Sequence, residues 1–201
     1  MVPSFINNLN DVQREAVTCT EGPVMVLAGA GSGKTRVLTY RVAYLIQSGV
    51  QPYNILALTF TNKAAREMKE RIFQLVGDAK AHALWMGTFH SIFARILKME
   101  SEKIGYPKDF TIYDTDDSKS VLKAIVREFK LDDKAYNPGY VLNRISAAKM
   151  NLINPEQYKD DPEIQYQDKM AKKPQITDIY REYWNRCKRS AAMDFDDLLF
   201  N

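Results

Sequence analysis

Cysteine and histidine are almost absent: the 201 residues hold two of each. Cys19 and Cys187 stand alone and form no metal-type pair, which argues against a zinc-stapled fold and fits a reducing, cytoplasmic setting. Long apolar runs are also lacking, since none approaches the roughly 18 residues that span a bilayer. The opening Met-Val-Pro-Ser-Phe-Ile-Asn-Asn has neither the basic nor the apolar region of a secretory leader. These absences together predict a cytoplasmic chain with no membrane partner. Charge of one sign is scarce as well, with 28 Lys and Arg against 25 Asp and Glu. Residues 1–112 carry 13 basic and 9 acidic side chains, and residues 113–201 carry 15 and 16. Any polyanion surface is therefore local and belongs to the first part.

What is present is concentrated in one stretch, Val24-Met-Val-Leu-Ala-Gly-Ala-Gly-Ser-Gly-Lys-Thr-Arg-Val-Leu38. The apolar run Val24 to Leu27 predicts a buried parallel strand. It breaks into a glycine-rich loop, Ala28-Gly29-Ala30-Gly31-Ser32-Gly33, and helical spacing then resumes, with a helix starting near Gly33. The three glycines allow a tight turn with inward-pointing N–H groups, and the helix start adds the positive end of its dipole. Lys34 can reach a terminal phosphate and the Thr35 hydroxyl can bind Mg²⁺, so the stretch reads as a phosphate loop for ATP. The bland alternative is a glycine-rich turn with a chance Lys-Thr, but strand, loop and helix stand in the expected order. Ala28 occupies the place where the general pattern has its first glycine.

Around this loop the chain reads as an α/β protein. Leu9 to Val17 predicts a helix capped by Asn10, and Gln13 has two readings there. It could close a capping box with Asn10, or its carboxamide could pair with the N6/N7 edge of adenine. Arg36 could touch the nucleotide or be an exposed helix arginine. A helix from Gly33 to Gly49 precedes a second buried strand, Asn54–Phe60, and a helix with Ala64, Ala65, Met68, Ile72 and Val76 inside. A third strand is expected over His82–Thr88, followed by a helix with the stripe Phe89, Ile92, Phe93, Ile96 and Leu97. Ligands of open α/β sheets sit at the carboxyl ends of strands. That rule puts Phe60, Thr61 and Asn62 on one rim with the phosphate loop, although Phe60 could instead be a core residue. His90 lies off the apolar stripe at the start of its helix and is expected exposed on that rim, where it could stack on a base or bond a phosphate; the bland alternative is a structural histidine.

After Tyr106-Pro107 the pattern changes. A short strand, Phe110–Tyr113, leads into helices with buried stripes Val121, Leu122, Ile125, Val126, Phe129 and then Val141, Leu142, Ile145, Ala148. The proline-containing stretch from Asn154 to Pro174 reads as loop or short helical turns. Ile176, Ile179, Tyr180, Tyr183, Trp184 and Cys187 mark a strongly amphipathic helix. In Met193-Asp-Phe-Asp-Asp-Leu-Leu, the acids Asp194, Asp196 and Asp197 resemble a metal-binding strand end but fit a helix start better.

Four of these stretches, L-N-D-V-Q-R-E-A-V, A-G-A-G-S-G-K-T-R, L-T-F-T-N-K-A-A-R-E-M and G-T-F-H-S, together resemble the N-terminal part of superfamily-1 DNA helicases of the UvrD/PcrA/Rep type. M-D-F-D-D-L-L resembles that family's return into its first domain. The resemblance implies a RecA-like parallel sheet flanked by helices (domain 1A, residues 1–113), an all-helical inserted subdomain (1B, residues 114–192) and a return at 193–201. It implies that Gln13 recognises adenine, Lys34 holds the β- and γ-phosphates and Thr35 binds Mg²⁺, with the loop from Ala28 to Arg36 around the nucleotide. Phe60, Thr61, Asn62, Thr88 and His90 would lie on the single-stranded DNA track. The family's D-E-x-x-D segment, which supplies an acid pair, and its second RecA-like domain do not occur within residues 1–201. The chain is therefore expected to be the N-terminal part of an ATP-driven 3′→5′ helicase acting on single-stranded and duplex DNA in repair or replication. By itself it should hydrolyse little ATP. Two other classes compete: a different phosphate-loop enzyme such as a kinase, and a non-catalytic nucleotide-sensing or DNA-binding module. A kinase would need an arginine-rich lid, which residues 114–192 do not show.

Overall fold

The computed structural model describes residues 4–201, so part of the leader reading, at residues 1–3, lies outside it. The chain forms two compact units that meet in sequence at Ile92 and Phe93. Parallel two-stranded sheets and many helices make it a mixed α/β structure. Among the described residues no helix is long and apolar enough to cross a membrane.

In the first unit, α1 (Asp11–Thr18) begins at Asn10 and packs on α2 (Lys34–Gln47) through Leu9, Val17 and Val37. Arg41 ties them: its guanidinium donates to the carbonyls of Ala16, at 2.7 Å, and Cys19. The strand β1 (Leu56–Thr59) and the helix α3 (Asn62–Val76) follow. Thr61 starts α3 by accepting from the Ala64 N–H at 3.1 Å, and Gly77 ends it at a φ of 82°. Met68 and Ile72 turn inward to meet Val42, Ile46, Ile55 and Ala57. Each such burial contributes about 1.5–3 kcal/mol, enough to hold the helix on the sheet. The short helix α4 (Asp78–His82) leads into β2 (Trp85–Thr88). The third strand is thus shorter than expected, because His82 ends a helix and Leu84 packs into the core.

β1 and β2 pair in parallel, Leu56 opposite Trp85 and Thr59 opposite Thr88. Both strands consequently end on the same edge. The helix α5 (Phe89–Glu100) starts directly after β2. Gly87 permits this, since a Cβ there would lie 2.6 Å from Ser91 Oγ and 3.3 Å from Ile92.

The expected strand at Val24–Leu27 does not form. These residues have no ladder partner among the described strands, and their exposures are 41, 81, 44 and 85 %. An apolar run becomes a buried parallel strand only when other strands hydrogen-bond to its edges. Here β1 and β2 pair only with each other, so Val24 and Val26 rest beside Val37 and Leu38 of α2 while Met25 and Leu27 face outward.

The second unit holds β3 (Thr111–Ile112), then α6 (Thr115–Glu128), α7 (Pro138–Met150), α8 (Pro155–Asp160), α9 (Pro162–Met170) and α10 (Ile176–Arg189). It closes with β4 (Ala192–Met193), parallel to β3, and α11 (Asp197–Phe200). The stripes of α6, α7 and α10 meet in one core of Leu122, Ile125, Val141, Ile145, Ile179 and Tyr183, but Phe129, expected inside, caps the end of α6 and is 39 % exposed. Asn154–Pro174 is more helical than its prolines suggest. Pro155 and Pro162 occupy first-turn positions, where no N–H is needed, and Asn154 and Asp161 cap the two helices.

The acidic stretch is resolved as a buried ion network. Asp194 follows β4 and Asp197 opens α11, each carboxylate accepting from the other's backbone N–H, at 3.1 and 2.9 Å. Lys149 Nζ lies 2.8 Å from Asp194 and 2.7 Å from Asp197, and the Tyr183 hydroxyl donates to Asp194 at 2.8 Å. The ammonium occupies the place a metal reading would have given to a cation.

Candidate functional site

The phosphate-loop residues gather at the start of α2. Gly33 precedes Lys34 in the left-handed region, φ 88°, and Gly31 is left-handed too, φ 77°. A side chain on either would be strained. The first N–H groups of a helix have no partner within it, so Lys34, Thr35 and Arg36 present donors at the positive end of a 14-residue helix. Lys34 folds back into the loop, its Nζ 3.0 Å from the Ala28 carbonyl and 2.7 Å from that of Gly29. The Ser32 hydroxyl donates to the same Gly29 carbonyl at 2.7 Å. The loop is thus closed around its own lysine. An anion entering it would exchange two neutral acceptors for charged ones, which bind an ammonium more strongly. Around Gly29 and Gly31 the space is open, and Thr35 is exposed.

Gln13 adopts the first of its two readings, with an added contact. Its backbone N–H donates to Asn10 Oδ1 at 2.8 Å and its Oε1 accepts from the Asn10 N–H at 3.3 Å, which completes the capping box. Its Nε2 also donates to the Ser32 carbonyl at 3.1 Å. The glutamine therefore touches the phosphate loop across 19 positions of sequence. A Cβ on Gly33 would fall 2.9 Å from Gln13 Nε2, so glycine at that position makes room for the carboxamide. Arg36 is held on the same side, donating to the Asn8 carbonyl at 2.9 Å with its guanidinium 5.3 Å from the Tyr40 ring centre.

The rim residues form a second group. Phe60 is 89 % exposed, and its ring centre lies 5.4 Å from that of Phe89 at a tilt of 34°. Thr61 and Asn62 are exposed at the start of α3, and His90 is exposed in the first turn of α5. Thr88 differs: it is buried, and its hydroxyl is engaged with Ser91, at 3.0 Å to the hydroxyl and 3.3 Å to the N–H. The parallel pairing of β1 and β2 brings Phe60 and Phe89 together. It does not draw in the segment before the phosphate loop, because Val24–Leu27 is outside the ladder.

Comparison with known proteins gives these two groups a context. The UvrD/REP helicase N-terminal domain matches residues 9–201. The chain belongs to this family. The match takes in α1 with Gln13, the phosphate loop and both rim segments. The chain is 45 % identical over 197 residues to the ATP-dependent DNA helicase PcrA of Staphylococcus aureus (strain Mu50 / ATCC 700699). It is 44 % identical over 199 residues to that of Leuconostoc citreum and 46 % over 196 residues to that of Bacillus subtilis (strain 168). These alignments cover 97–98 % of this chain and 26 % of each relative. The chain spans about a quarter of the length of the relatives it matches.

Proposed function

We propose that this chain is the ATP-binding N-terminal part of an ATP-dependent 3′→5′ DNA helicase that moves on single-stranded DNA and separates duplexes. The observation that carries the reading is Lys34, at the head of α2, with its ammonium inside a glycine-rich loop. The donor set fits a nucleotide: a lysine ammonium, the helix's first N–H groups and the Gln13 carboxamide converge on one loop. On this reading Lys34 turns from the Ala28 and Gly29 carbonyls to the β- and γ-phosphates. The backbone from Gly29 to Arg36 wraps the phosphate chain, and Gln13 takes the adenine edge. Thr35 would hold Mg²⁺, which supplies positive charge against the phosphates. Phe60, Thr61, Asn62 and His90 form the single-stranded DNA track, and Thr88 supports it from below through Ser91.

The architecture we propose is a RecA-like domain 1A over 1–113, a helical insertion 1B over 114–192, and a return at 193–201. The parallel pairing of β3 with β4, which flank the five helices, supports the idea that the chain departs and comes back at one place. Completion of the sheet beside Val24–Leu27, the acid pair for Mg²⁺ and water, and the second RecA-like domain would come from the remaining length of a full-size helicase. The protein would work in the cytoplasm, in DNA repair or replication. Calorimetry of this chain with ATP and Mg²⁺ tests the nucleotide reading. We expect weak binding that Lys34→Ala lowers at least tenfold, with turnover near background. Equal affinity in wild type and variant would remove the phosphate-loop assignment.

A further inference from the structure

A carboxamide offers two N–H donors on nitrogen and two lone pairs on oxygen. In Gln13 one of each is already in use. Oε1 accepts from the Asn10 N–H at 3.3 Å, and Nε2 donates to the Ser32 carbonyl at 3.1 Å. The orientation follows from the chemistry of the neighbours. A backbone N–H can only donate and a carbonyl can only accept, so a flipped amide would set donor against donor at Asn10 and acceptor against acceptor at Ser32. What remains is one lone pair on Oε1 and one N–H on Nε2, with oxygen and nitrogen fixed in order. Adenine presents N6–H as donor and N7 as acceptor, whereas guanine presents two acceptors, O6 and N7.

We propose that the Asn10 backbone N–H and the Ser32 carbonyl are the specificity-determining partners of Gln13: by locking its carboxamide, they make the site accept ATP and reject GTP. The inference rests on the reading of Gln13 as the adenine-binding residue. A free glutamine could swing its NH2 group onto guanine O6 and leave its oxygen in water. The locked one confronts O6 with a lone pair. The lock is built from the helix cap and the phosphate loop, so the same bonds that start α1 also set the base preference. Gly33 completes it by leaving space against Nε2, where a Cβ would lie 2.9 Å away.

The backbone of Asn10, φ −71° and ψ 168°, suits proline, which allows the N–H to be deleted on its own. In the full-length protein, ATP and GTP affinities with Mg²⁺ are measured for wild type, Asn10→Ala, Asn10→Pro and Gln13→Ala. Both Asn10 variants lose the side-chain cap, and only Asn10→Pro loses the N–H that holds Oε1. The expected result is a fall of roughly tenfold in the ATP:GTP affinity ratio for Asn10→Pro relative to Asn10→Ala, with Asn10→Ala near wild type. An amide-to-ester replacement of the Leu9–Asn10 bond removes the same N–H while keeping the asparagine, and should act as Asn10→Pro does should the proline fail to fold. An unchanged ratio in Asn10→Pro and in the ester, with a collapsed ratio in Gln13→Ala, would overturn the lock and leave adenine recognition standing. An unchanged ratio in Gln13→Ala would overturn the adenine reading and the lock with it.

Discussion

Replacing Lys149 by Met is expected to destabilise the second unit by about 3–5 kcal/mol near neutral pH, because it strands two buried carboxylates without their cation. The Lys149 side chain is 1 % exposed and those of Asp194 and Asp197 are each 5 % exposed. Methionine has nearly the same length, so the loss is one of charge more than of packing. Burial works against the lysine ammonium, yet Asp197 and Asp194 outweigh it and hold the Lys149 pKa above its ordinary value. Burial likewise pushes Asp197 up, to about 6, with Asp194 adding to it and Lys149 opposing. For Asp194 burial is outweighed by Lys149, and the carboxyl stays below its usual range.

The sign of the pH dependence follows from these directions. A carboxyl raised in the folded state stabilises fully below its unfolded value of about 3.9, and that contribution is lost as pH rises through about 6. Asp194, lowered, contributes above about 3.9 and loses its contribution as pH falls. In the wild type the two tendencies oppose each other. Without Lys149 both carboxyls move up, so Lys149→Met should be least stable at pH 7–8 and recover toward pH 5. Urea unfolding followed by tryptophan fluorescence measures this, and Asp197→Asn in the same background should restore part of the loss. A variant within 1 kcal/mol of wild type across that range would show that the network carries little stability.

The second large effect concerns DNA. Phe60→Ala and His90→Ala in the full-length protein should each weaken single-stranded DNA binding by about 1–3 kcal/mol, some 5- to 150-fold. Base stacking on aromatic faces is sequence-tolerant, so poly-dT and mixed oligonucleotides should lose similar amounts. Phe60 is suited to the test because it is 89 % exposed, and its truncation leaves no hole in the core. DNA-stimulated ATP hydrolysis should fall in parallel, whereas ATP affinity without DNA should not change. Normal folding by circular dichroism together with wild-type oligonucleotide binding in both variants would move the DNA track elsewhere.

Local signals in the sequence were read correctly where local chemistry decides the structure. The α2 start, within one residue of Gly33, follows from glycines that permit left-handed backbone, and the stripes of α6, α7 and α10, Phe129 apart, follow from a 3.6-residue period. The capping role of Gln13 was visible in its three-residue spacing from Asn10, but its bond to Ser32 was not, since that contact joins residues 19 apart. Val24–Leu27 misled for the reverse reason. Its composition is that of a buried strand, and burial depends on partner strands that composition cannot supply. The ion network was hidden by distance, 45 positions separating Lys149 from Asp194. The acids Asp194 and Asp197 stand out in the sequence, but the only trace of their partner is a lysine four residues after Ile145, on the buried side of α7.

The most direct test of the nucleotide site is a crystal structure of the full-length protein with Mg²⁺ and a non-hydrolysable ATP analogue. Lys34 Nζ should have left the carbonyls of Ala28 and Gly29, which it now meets at 3.0 and 2.7 Å, for a phosphate oxygen. Gln13 should contact the adenine N6/N7 edge while still bonded to the Asn10 N–H and the Ser32 carbonyl. A nucleotide bound elsewhere, with Lys34 still resting on its own loop, would contradict the assignment.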